Sequence, residues 1–186
     1  VHKMHVKSTR EAGDAIVNEG VGQFDSVELE IGGQRIDKHY GLWMQIWSEL
    51  SSTWQHSQIL DKMVGGNVVG GTTTAPAKIW HIPLQFWFCK NPGCALPLIA
   101  LQYHEVKFNI EINSAAACTD VAGVSLGDTS LYVDYVYLDT DERRRFAQTS
   151  PEYLIEQLQF TGDESVNSTS NKIKLNFNHP CKELVW

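Results

Sequence analysis

Cys89 and Cys94 flank the turn Lys90-Asn91-Pro92-Gly93, and two thiols that close could hold a metal or form a disulfide. A zinc pair is normally closer in sequence and is answered by a second pair. Here Cys118 and Cys181 are irregularly spaced, and no spacing gathers His81, His104 and His179. A His-x-His pair, the usual start of a metal site inside a small β-barrel, does not occur, and His2 and His5 fall in a segment without clear pattern. The expectation is therefore reduced, mostly buried thiols, with no metal and no cofactor.

Two carboxylates across a cleft would serve glycoside hydrolysis. Glu111 and Asp134 are the best such pair, but both read as outward-facing charges on strands. No Gly-x-Ser-x-Gly elbow, phosphate loop or dinucleotide fingerprint occurs, and Gly65-Gly66 and Gly70-Gly71 lack a following Lys-Ser/Thr. No catalytic residue is assigned, and an enzyme is not expected. Arg143, Arg144 and Arg145 could grip phosphate. They follow Asp139, Asp141 and Glu142, so the simpler reading is a salt-linked connector or a contact with a neighbouring subunit, not nucleic acid. Trp43, Trp47 and Trp54 could stack on sugars, but their helical spacing reads first as a buried face. Asn167-Ser168-Thr169 is a glycosylation sequon in a polar stretch, to which no modification is assigned.

The elements that must carry these residues are mostly strands. Ile79–Cys89 reads as a strand stopped by the Lys90–Gly93 turn, and Leu96–Ile112 as a second. In its second half Val106, Phe108, Ile110 and Ile112 alternate with Glu105, Lys107, Asn109 and Glu111, which predicts one buried and one exposed face. Leu131–Leu138 is a third strand. Val27–Ile31, Gly32-Gly33 and Gln34–Ile36 read as a hairpin, because paired glycines supply the positive φ angles of a tight turn. Asp37 is expected to cap a helix carrying Trp43, Ile46, Trp47, Leu50 and Trp54. Ser51-Ser52-Thr53 would break it before a second helix with Ile59, Leu60 and Met63. These helices are expected to cover one open end of a sandwich. Residues 64–78 and 113–129 read as long loops suited to partner contacts. Asp139 or Thr140 caps a short helix to about Ala147, and a new β unit is expected from residue 152, with alternation at Lys172–Asn178. Residues 1–23 receive no assignment.

The chain has 186 residues, 42% of them hydrophobic, enough for a domain with a real core. A net charge of −7 argues against a general nucleic-acid coat. No stretch approaches the ~20 apolar residues of a membrane span. The chain opens on Val1 and closes on Lys182–Trp186, apparently inside a strand, so a fragment of a longer protein is expected.

Five blocks in order carry a resemblance: Val27–Lys38, Ile82–Phe88, Leu96–Val106, Leu131–Phe146 and Leu175–Trp186. Together they resemble the major capsid proteins of nucleocytoplasmic large DNA viruses, most of all the branch infecting algae and other protists. The resemblance implies an all-β fold: a jelly-roll β-sandwich with helical insertions, part of a double jelly roll. Residues 1–138 would be most of the first roll, 139–151 a helical connector, and 152–186 the start of a truncated second roll. The opening strand of the first roll and most of the second would be absent. The implied function is a structural subunit of an icosahedral capsid, assembled as pseudo-hexagonal homotrimers in the infected host cytoplasm and resident in the virion. The implied partners are neighbouring capsomers and minor capsid proteins, with the internal membrane only indirectly and no direct nucleic acid. The alternative is a cellular β-sandwich module that binds or processes glycans.

Overall fold

A computed structural model describes residues 1–10, 13–14, 19–65, 74–75, 78–114 and 126–186. The first element is strand β1 (Lys3–Arg10), which buries Met4, Val6 and Ser8 and turns His5 and Lys7 outward. A two-residue strand β2 (Gly13–Asp14) and a helical turn α1 (Glu19–Gly22) follow. Strands β3 (Phe24–Ile31) and β4 (Gln34–Tyr40) form the expected hairpin. Ile31 pairs with Gln34, so Gly32 (φ 61°) and Gly33 (φ 81°) are its whole loop.

Helices α2 (Gly41–Ser51) and α3 (Trp54–Val64) break at Ser52-Thr53, as expected. Gly41 is required where α2 leaves β4, because a Cβ there would lie 2.4 Å from the Val21 carbonyl oxygen and 2.5 Å from that of Phe24. Asp37 does not cap this helix. It lies within β4, buried, and Tyr40 takes the cap position without a side-chain hydrogen bond. The tryptophan stripe also divides: Trp43 and Trp47 are half-buried on α2, whereas Trp54 opens α3 and is 75% exposed.

Strand β5 (Thr74–Ala75) pairs with β2, and β6 (Lys78–Pro83) ends earlier than expected. After Pro83 the chain enters a helical turn, α4 (Trp87–Lys90). The reason is packing. Phe86, Trp87 and Phe88 are all buried, and an extended strand would turn every second one away from the core. Leu96–His104 runs through turns, so β7 (Val106–Ile112) holds only the second half of the expected strand. Val106, Phe108 and Ile110 face the core as read, but Ile112 remains 46% exposed, beyond a register shift opposite Phe24–Ser26. Strand β8 (Leu126–Asp134) starts inside the expected 113–129 loop and stops at Asp134. It stops there because Asp134 already pairs with Lys3, the first residue of β1, which leaves Tyr135–Leu138 no partner strand among the described residues. Helix α5 (Thr140–Gln148) follows.

Two antiparallel three-stranded sheets result, ordered β6-β1-β8 and β4-β3-β7. Their buried residues share one core, with Val6, Ile82 and Trp80 from the first sheet, Val27 and Leu29 from the second, Met44 and Phe88 from the helices, and Phe86 from the residue that opens α4. This is a β-sandwich arrangement with helical insertions. From Ser150 onward no helix or strand forms, so the alternating Lys172–Asn178 is not a strand here. Alternation supplies the faces of a strand, but a ladder needs a neighbour, and none runs beside these residues among those described.

Candidate interaction surface

Helix α5 behaves locally as its residue types dictate. The Asp139 carboxylate accepts a hydrogen bond from the Glu142 amide at 2.8 Å, a side-chain N-cap. Asp141 and Glu142 occupy the first turn and Arg145 the last, the order that complements the helix dipole. All three arginines are exposed. Arg144 lies 3.8 Å from Asp141, whereas Arg143 and Arg145 meet no carboxylate among the described residues. The helix therefore presents the Arg143 and Arg145 guanidinium groups to solvent and engages only Arg144 in an internal pair.

A second surface is apolar. Trp43 and Trp47 stack at 5.6 Å, and the Lys90 ammonium sits 4.9 Å from the Trp47 ring centroid. Beside them, α2 and α3 expose Leu42, Leu50, Trp54, Ile59 and Met63. Beyond β8, Tyr135, Val136 and Tyr137 are exposed as well. Large apolar residues gathered on the outside of a fold mark contact surfaces. Most of the two expected contact loops, residues 66–73, 76–77 and 115–125, lies outside the described residues, as does Cys118.

The catalytic and metal candidates do not converge. Cys89 and Cys94 are half-buried free thiols, but Cys181 is exposed, against the expectation of burial. Burial pushes the Cys89 thiol up to about 11, which keeps it protonated and a poor ligand or nucleophile. Glu111 accepts from the Ser26 hydroxyl at 2.9 Å on one sheet, while Asp134 ends a strand of the other. His104 lies over Gly32 in the hairpin turn, and His179 is exposed. Among the described residues no group of three or more His, Cys, Asp or Glu could hold a metal ion.

Two groupings escaped the sequence reading. His5 stacks on Tyr132 at 5.0 Å and lies 5.3 Å from the His81 ring, on the outer face of the β6-β1-β8 sheet. Lys7 stands opposite His81 in the register, and its charge opposes a cation there. The alternation of Met4, Val6 and Ser8 was the available signal, masked because Ser8 is a buried polar residue bonded to Gln23 at 2.7 Å. The second grouping is inside. The Asp37 carboxylate lies 3.0 Å from His39 Nε2, and His39 stacks on Phe86 at 4.6 Å. Asp37 and His39 are two apart on one face of β4, but their polarity hid that this face is the core face.

Comparison with known proteins returns two consecutive family matches. Residues 4–139 match the family described as major capsid protein N-terminus, and residues 142–186 the large eukaryotic DNA virus major capsid protein family. The chain is similar to the major capsid protein of Pyramimonas orientalis virus, with 55% identity over 196 residues, covering all of this chain and 48% of that protein. It is 48% identical to capsid protein 1 of Acanthamoeba polyphaga mimivirus, over 95% of this chain and 32% of that protein. Its structure is similar to a chain in a quasi-atomic model of the PBCV-1 virus capsid, with TM-score 0.82 and 39% identity, covering 96% of this chain and 46% of that one. These relatives are capsid proteins rather than enzymes, and the chain spans about half of their length or less.

Proposed function

The chain belongs to the major capsid protein family of large eukaryotic DNA viruses, and from that premise we propose that it forms part of a structural subunit of an icosahedral viral shell. The observation that carries this reading is the pair of family matches, 4–139 and 142–186, which meet at helix α5. They support a double jelly roll in which residues 1–138 are most of the first roll, 139–151 the connector and 152–186 the opening of the second. The subunit assembles as a homotrimer of pseudo-hexagonal outline that contacts neighbouring capsomers and minor capsid proteins. It resides in the virion, is assembled in the host cytoplasm, and reaches the internal membrane only indirectly. The capsid relatives weigh against the alternative of a cellular glycan-binding module.

The physical fit is good. Packed sheets give a rigid body whose helices and loops present contacts, and a symmetric shell multiplies contacts that are individually modest. The exposed Arg143, Arg144 and Arg145 and the apolar α2–α3 surface are the proposed contacts between subunits. The test is expression of the complete reading frame, with light scattering and electron microscopy of the product. A trimeric mass and a six-sided outline are expected. A stable monomer would overturn the reading.

A further inference from the structure

We propose that residues 155–160 are a strap that re-attaches the chain to edge strand β4, with buried Asp37 as its catch, and so fix the direction in which the unit beginning at residue 152 leaves the sandwich. The proposal rests on the capsid reading only for what that second unit is; the strap itself is independent of assembly.

Strand β4 is the outer strand of its sheet, so one side of its backbone has no ladder partner among the described residues. Five strap residues engage this edge and its surroundings. Gln157 donates from its side-chain amide to the Ile36 carbonyl oxygen. The Leu158 amide donates to Asp37 Oδ1 at 3.2 Å. Phe160 meets the Tyr40 ring edge-on at 5.2 Å, Ile155 packs against the core, and Glu156 accepts from Lys90 at 3.0 Å. Partners 36, 37 and 40 thus meet 157, 158 and 160 in the same order along the edge.

Asp37 explains the position of the catch. A carboxylate buried in a strand is costly unless its oxygens are bonded. Oδ1 accepts from the Lys38 amide at 2.9 Å and from the Leu158 amide 121 positions away, while Oδ2 lies 3.0 Å from His39 Nε2 without a hydrogen bond, so the Leu158 amide is the one long-range donor to this carboxylate among the described residues. Helix α5 cannot do this work. It is exposed along its length except at Phe146, so it spaces the two parts without orienting them. The strap supplies the second attachment point that an orientation requires.

The test is amide hydrogen exchange on the complete protein, with the double variant Gln157→Ala/Phe160→Ala, which leaves β4 untouched. In the unchanged protein the Leu158 amide should exchange at least about tenfold more slowly than the exposed amides of residues 163–170, the scale of one retained hydrogen bond. The double variant should remove that difference and leave the β3 amides of Val27 and Leu29 protected. Asp37→Asn, which keeps an accepting oxygen, should preserve most of it. Leu158 exchanging as fast as residues 163–170 in the unchanged protein would overturn the strap. So would a double variant in which β3 loses protection too, because the segment would then be core. A protein that fails to form trimers while Leu158 stays protected would sink the capsid reading and support the strap.

Discussion

Phe108 lies 6.0 Å from Phe86 and 6.3 Å from Phe88 between ring centroids, while its neighbour Lys107 points outward to Glu105 at 3.1 Å. Phe108→Ala is expected to destabilise by about 3 kcal/mol, the low end of the range for a large core aromatic because the ring is only partly buried. Lys107→Ala should leave the denaturation midpoint unmoved. Equal losses would mean that the register is wrong, since a one-residue slip exchanges the two faces. The glycines make a second pair. A Cβ at Gly41 meets two backbone carbonyls, and one at Gly22 meets nothing within 4 Å. Gly41→Ala should cost about 1–3 kcal/mol in chemical denaturation, and Gly22→Ala should not destabilise by a comparable amount. At Asp37 the expected cost of Ala is about 2 kcal/mol, because two backbone amides lose their acceptor together and His39 loses the carboxylate beside it.

Helix α5 depends on its own ends more than on packing. Removing the Asp139 cap by Asp139→Ala should weaken the helix by about 1 kcal/mol, seen as faster exchange of the Glu142 amide with the β3 core unaffected. Replacing Arg143, Arg144 and Arg145 together by Ala should weaken trimer or shell assembly and leave nucleic-acid affinity unchanged. Particles that assemble normally but fail to retain DNA would revive the phosphate reading. The strap has its own electrostatic term. Glu156 is held below the usual carboxylate range, first by the hydrogen bond from Lys182 and then by Lys90. A depressed folded value stabilises above the unfolded carboxylate range near pH 4.5 and is lost as pH falls through the folded one. The groups are largely exposed, so this contribution is small and screened by salt. Proteolysis within residues 155–160 should therefore respond to Glu156→Gln less than to Gln157→Ala/Phe160→Ala.

For the molecule as a whole, residues 150–186 lie without regular structure and leave Leu154 97% exposed, with Ile173, Leu175, Leu184 and Trp186 also open. Apolar chain without partner strands associates. The 186-residue chain expressed alone is expected to elute as broad, self-associated material in size-exclusion chromatography, whereas the complete protein elutes as a trimer. A sharp monomeric peak that melts cooperatively would contradict both the domain boundaries and the truncated second roll. The legibility of this chain follows the range of the interactions involved. The Gly32-Gly33 hairpin, the core face of Val106, Phe108 and Ile110, the helix break at Ser52-Thr53 and the Asp139 cap were all readable, because each is decided within a few residues by φ preference, side-chain period or a local donor. Strand β1 was not, because Ser8 is buried only through Gln23 and its neighbours β6 and β8 come from far along the chain. The end of β8 was set by where β1 begins, and the turn at Trp87 by three adjacent aromatics competing for one core. Asp37 read as a cap because a carboxylate is normally exposed, and only the fold reveals His39 and the Leu158 amide around it. The sequence by itself determined local conformation and family; tertiary structure alone decided which alternating segments became strands and which charges were buried, because backbone ladders and buried polar groups both require partners that only the folded chain brings near.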